Sequence, residues 1–419
     1  MSEVQAPFAP AASAPTNGNG HQPAAPAPTR KININTPALV NVMVSVEGAS
    51  DLVFSPGRPP QVELHGKLTA VNIDGLPTLL PEHTAQIAKD LIGSDEHAPE
   101  TLKRTGSCDL SYSLPQRARF RVNIFKQRNT HAIVMRVIPH YIPTLDELKL
   151  PPELKKVANL KNGIVLVTGP TGSGKSSTLA AIVDLINSTR ADHIVTIEDP
   201  IEFLHAHKVG TVHQRELYSD TDSFANALRA ALRQAPKVIL VGEMRDKETI
   251  EIALTAAETG HLVFSTLHTI DASKTVERII GVFPTSDQQA IRTRLAASFR
   301  YFISQRLMPR RDNKGRLAII EILKSTMRTR EYIERGEAEG KSLLDAMRDG
   351  DQEGMQEFDN ELERAVHLGV ITKQDALLYA TNSGNMALRL SEVEEDEIAI
   401  AGPEVLYQHL AQEQIDVER

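Results

Sequence analysis

Cysteine is nearly absent from this chain. Cys108 is the single one among 419 residues, so no disulfide can form within the chain and no four-cysteine zinc site can be built. That usage fits a reducing compartment, and Cys108 reads as a small core residue. Long apolar runs are missing too: none reaches the roughly 18–20 residues needed to span a bilayer. The opening residues, Met1 to Gln5, lack the basic start and leucine-rich stretch of a signal peptide. The expectation is a cytoplasmic protein without direct membrane insertion, whose membrane role, if any, passes through a partner. Positive charge is in deficit, with 46 Lys and Arg against 54 Asp and Glu. That balance argues against nucleic acid as a partner.

What is present divides the chain. Residues 1–32, rich in Ala, Pro, Asn and Gly, have no apolar period and are expected to be a disordered tail. Residues 33–142 alternate short β-rich runs with one helical stretch, Glu82–Ile92, and form a smaller first domain. Arg119 to Phe125 alternates strictly, which puts Phe120, Val122 and Ile124 on one strand face and Arg119 and Arg121 on the other. His131–Ile138 follows as a hairpin partner. A proline-marked linker, 143–152, leads to residues 153–390, where strand, loop and helix repeat. The apolar runs Ile164–Val167, Ile194–Ile197, Val238–Val241 and Leu262–Phe264 read as buried parallel strands of an α/β, doubly wound domain. From about residue 286 the expectation is mostly helix, and 391–419 is expected to be a solvated acidic tail.

Gly169-Pro170-Thr171-Gly172-Ser173-Gly174-Lys175-Ser176 matches the phosphate-binding loop pattern. It follows a strand and opens a helix, the context that the motif requires. Glycines let successive backbone N–H groups converge on phosphate oxygens, and the helix N-terminus adds partial positive charge. Lys175 is placed to neutralise the β- and γ-phosphates of ATP, and the Ser176 hydroxyl to ligate Mg2+; Ser177 continues the site.

Two acidic sets follow at strand ends: Glu198-Asp199-Pro200-Ile201-Glu202, and Gly242-Glu243. Open parallel sheets bind ligands at the carboxyl ends of their strands, so both sets should face the loop. Their jobs are to hold Mg2+ through water and to activate the attacking water. His268 ends the next strand, where a γ-phosphate sensor would sit, while His261 precedes that strand.

In this order the elements resemble the secretion-type ATPases, most closely the type IV pilus retraction ATPases. The matching stretches are 165–176, 196–203, 238–246, 260–269 and 304–310. The resemblance implies a RecA-like ATPase domain preceded by a smaller α+β, PAS-like domain. It assigns Glu202 to catalysis, Glu243 to the Walker B position and to the metal, and His261 and His268 to a histidine box. Arg119, Arg121 and Arg136 fall where the family's first domain offers arginines to nucleotide. It also implies a homohexamer, docked at the inner face of the cytoplasmic membrane on a pilus platform protein, that acts on pilin indirectly. The chain departs from the family at Gln234-Ala235-Pro236-Lys237, where acidic residues are usual, and at Ser50–Phe54. The retraction-linked motif is matched loosely by Arg328–Ile333. The alternatives are an accessory retraction ATPase, a pilus-extension or type II secretion ATPase, and a nucleotide-regulated scaffold. The extension class usually carries a four-cysteine zinc insert.

Overall fold

The computed structural model describes residues 34–407. The expected tail over 1–32 and the last part of the acidic segment, 408–419, lie outside the described residues.

Strands β1 (Ala49–Phe54), β2 (Gln61–Leu64), β3 (Lys67–Ala70), β4 (Ser107–Leu114), β5 (Ala118–Gln127) and β6 (Thr130–Ile138) form an antiparallel sheet in the order β3-β2-β1-β6-β5-β4. The alternation in β5 decides its packing. Phe120, Val122 and Ile124 are buried in one core with Leu39, Ile87 and Leu102, from three helices on that face. Two of these helices, Thr36–Val44 and His97–Thr105, go beyond the single helix expected. The first is rich in valine, a weak helix former, and the second is mostly polar with Pro99 in its first turn, so neither carries a strong helical signature. On the other face Arg121 stands directly opposite Arg136. Like charges so placed repel, and Arg136 is turned onto Asp51 of β1, 2.9 Å away.

The second sheet contains β7 (Gly163–Thr168), β8 (His193–Glu198), β9 (Thr211–Glu216), β10 (Val238–Val241), β11 (Leu262–Leu267), β12 (Phe299–Pro309) and β13 (Arg316–Lys324). Their order is β13-β12-β7-β11-β10-β8-β9, all parallel except β13. Neighbouring residues along one strand enter different cores. Ile164, Leu166, Ile239 and Val241 pack against helices on one face, and Val165, Val167, Val238 and Leu240 against helices on the other. Burial on both faces is why these strands read as continuous apolar runs.

One expectation is refined here and one corrected. The chain after residue 286 is rich in helix as expected, but β12 and β13 interrupt it with a long hairpin that adds two strands beside β7. Most of β12 is buried, which removes the period-2 signal, and an apolar run following a helix reads equally well as more helix. The segment 391–407 is not a solvated tail. Leu406 and Tyr407 are buried in a core with Phe358, Leu362 and Met386, and Arg311 donates to the carbonyls of Glu395 and Ile398. The acidic residues that suggested a tail flank these anchors.

Glu321 of β13 is buried and accepts the Ala272 amide at 2.8 Å; burial pushes its carboxyl up to about 8. A folded-state value above the unfolded one gives stability that is present at low pH and lost as pH rises toward the folded value. Stability should therefore fall between about pH 5 and about pH 8, and Glu321→Gln, which keeps the acceptor, should flatten that fall. Thermal unfolding across this range checks it; a Gln variant with the wild-type pH dependence would contradict it.

Candidate active site

β7 is buried along its whole length and delivers the chain to the phosphate loop at its carboxyl end. Gly169 and Gly174 have φ of +142° and +92°, where L side chains are strained. Space demands glycine as well: a Cβ would lie 2.3 Å from the Gln305 carbonyl oxygen at Gly169, and 2.7 Å from Gln305 Nε2 at Gly174. Gln305, on β12 and 3% exposed, clamps the loop. Its Nε2 donates to the Ser173 carbonyl at 2.7 Å, and its Oε1 accepts from Thr178 Oγ1 at 2.8 Å. Sequence reasoning missed this residue, although a lone amide in an apolar strand signals a buried group that must be satisfied.

The helix Lys175–Thr189 begins without a side-chain cap. The helices that follow β9, β10 and β11 are instead capped by Ser223, Asp246 and Asp271. The first amides of the Lys175 helix thus remain free of side-chain acceptors, as an anion site needs. Lys175 is 8% exposed. Its Nζ donates to the Gly169 carbonyl at 2.9 Å and the Pro170 carbonyl at 3.0 Å. Burial lowers its pKa, and the charges of Glu243 and Glu202 oppose that shift.

The acidic sets separate into roles. Glu198 is half-buried at the wall of the cleft and accepts from Thr196 Oγ1, Gln214 Nε2 and the Glu202 amide at 2.6, 3.0 and 3.4 Å; desolvation raises its carboxyl above the usual range. It is a structural acceptor. Glu202 is exposed and lines the cleft. Glu243, at the end of β10, stands 2.6 Å from Arg245 Nη2 and 3.5 Å from His268 Nε2. Burial raises the Asp199 carboxyl, against the lowering effect of Arg245 and Arg121. His205, also lining the cleft, is pushed down to about 4 by burial and so stays neutral at physiological pH.

These side chains surround a cleft of about 520 Å3. Thr171, Gly172, Gly174, Lys175, Ser176 and Ser177 line it with Glu202, Glu243 and His268; Gly169, Pro170 and Ser173 are not part of the lining. The remaining expected residues are not brought into it. His261 sits at the amino end of β11, with Nδ1 2.9 Å from the Ala256 carbonyl. Arg119 is held by Glu216 at 3.0 Å and Arg136 by Asp51, while Arg121 acts on Asp199 from outside the lining. Arg245 was not singled out in the sequence. Two residues after Glu243 in an extended segment, it shares that carboxylate's side of the chain. Gln305→Ala should weaken binding of fluorescent ADP by about tenfold, the worth of one or two hydrogen bonds. Unchanged affinity would contradict the clamp.

Residues 106–378 match the family model described as type II/IV secretion system protein. A twitching motility protein of Neisseria gonorrhoeae is 44% identical over 330 residues, covering 78% of this chain and 86% of that protein. The type IV pilus retraction ATPase PilT of Pseudomonas aeruginosa is 43% identical, covering 79% and 94%. A crystal structure of the pilus retraction motor PilT with bound ADP aligns at a TM-score of 0.74 and 39% identity, over 84% of this chain and 99% of that one. The second sheet and its helices accordingly have the RecA-like fold of secretion ATPases, and the chain belongs to the type II/IV secretion system protein family.

Proposed function

We propose that this protein is the ATP-hydrolysing motor that retracts a type IV pilus, converting nucleotide turnover into withdrawal of pilin. The observation that carries the reading is the joint placement of Lys175, Glu202, Glu243 and His268 around one cleft at the carboxyl ends of parallel strands. ATP phosphates enter the loop, where the free amides of the Lys175 helix and the Lys175 ammonium replace solvent. Ser176 and Glu243 offer hard oxygen ligands that suit Mg2+. When bound, the ion supplies neutralisation of phosphate charge. Glu202, exposed to the cleft, takes the proton of the attacking water. His268 reads the γ-phosphate from beside Glu243.

The working form is a homohexamer docked on a platform protein at the inner membrane, since a motor on a polymer needs sites that fire in turn. Among the described residues no helix is long and apolar enough to cross a membrane, which suits transmission through a partner. In this reading Arg121 or Arg136 reaches nucleotide only after the first domain moves, because Arg136 is paired with Asp51 and neither lines the cleft, while Arg119 stays on Glu216.

Lys175→Ala should reduce turnover on the order of 10²- to 10³-fold, as the loss of one preorganised charge does. Glu202→Gln should keep ATP binding and slow hydrolysis, and Glu243→Gln should shift the Mg2+ dependence. Steady-state phosphate release measures all three; near-normal release by Lys175→Ala would overturn the site. Deleting the gene tests the cellular role: excess, immobile surface pili support retraction, and a loss of pili would mean extension.

A further inference from the structure

One buried carboxylate joins the two parts of the chain and has no place in the chemistry above. Glu216 ends β9, in register with Glu198 on β8, and is 3% exposed. Its Oε2 accepts two N–H groups: Arg119 Nη2 from β5 at 3.0 Å, and the Ile201 amide at 3.2 Å. Its own amide is fixed by Asp220 Oδ2 at 2.8 Å. The loop from Glu198 to Glu202 therefore hangs from two acceptors. Glu198 takes the Glu202 amide, and Glu216 takes that of Ile201, the residue before it. Glu198 is answered by groups of its own sheet, whereas the cation that answers Glu216 comes from the other domain.

We propose that Glu216 is a positioning residue for hydrolysis, tying the loop that bears Glu202 to Arg119 so that the docking of the N-terminal sheet sets where Glu202 stands. The inference rests on reading Glu202 as the water-activating carboxylate. The physics is that of a buried charge. A carboxylate in such a place is stable only while a cation or several N–H groups face it. With Arg119 withdrawn, Glu216 keeps a single loop amide and turns toward solvent, and Ile201 and Glu202 move with it. The contact is built to exchange. Arg119 meets Glu216 through one nitrogen, gives a second to Ser113 Oγ at 3.2 Å, and leaves its buried Nε without an acceptor. This is a single-point pair, weaker than a bidentate fork. Arg121, on the same sheet face, acts on Asp199 of the same loop, so the face addresses the loop at two places.

Glu216→Gln keeps an oxygen for the Ile201 amide and removes the charge that holds Arg119. In the full chain it should lower kcat for ATP about tenfold, within the coupling range of contacting residues. Affinity for fluorescent ADP should stay unchanged, because the phosphate loop is untouched. In an Arg119→Ala background the same substitution should cost no further activity, since the pair is already broken. Wild-type kcat in Glu216→Gln overturns the proposal. So do losses that multiply in the double variant, or a kcat that falls together with ADP affinity, as a merely structural role would give. The reading of Glu202 fails separately, if Glu202→Gln hydrolyses ATP normally, whatever the Arg119–Glu216 cycle returns.

Discussion

A buried cation needs acceptors, and Lys175 imposes that demand on the whole nucleotide cleft. Its ammonium is satisfied by the carbonyls of Gly169 and Pro170. These carbonyls are available because Gly169 turns the chain at positive φ and Gln305 pins the loop from β12. The clamp in turn requires β12 to lie beside β7, and so it fixes the sheet order at that edge. Two neutral carbonyls are weak partners for an ammonium compared with an anion. The loop therefore holds its lysine in a place from which phosphate can take it.

The acids follow the same logic. Glu243 is met by Arg245 and His268, and its charge also supports Lys175. Cations and carboxylates of the cleft thus partner one another, and binding becomes an exchange of partners. Such exchange lets nucleotide state be felt at a distance. A partner released by Glu243 moves the segment after β10, and one released by Glu216 moves the loop after β8. Both segments carry residues assigned to hydrolysis.

Much of this was legible in the sequence because it is local. The phosphate loop needs only its spacing, with a strand before it and a helix after, and the strands β7, β8, β10 and β11 show as apolar runs because both their faces are buried. His268 could be placed because it ends a strand; His261 precedes that strand and falls at the opposite edge of the sheet. What escaped depends on register between distant segments. Gln305 finds its partners 127 and 132 residues away, and Arg119 meets Glu216 across 97. No periodicity announces such pairs. The arginines were readable as a charged strand face, but the acceptors that hold them back from the cleft belong to other strands. β12 escaped because the burial of most of its residues erases alternation.

The exchange of partners around Lys175 is tested most directly by a structure of the protein with a non-hydrolysable ATP analogue and Mg2+. The account predicts that Lys175 Nζ leaves the Gly169 and Pro170 carbonyls for the phosphates and that Arg245 leaves Glu243. A bound analogue with Lys175 still on those carbonyls and Arg245 still on Glu243 would contradict it.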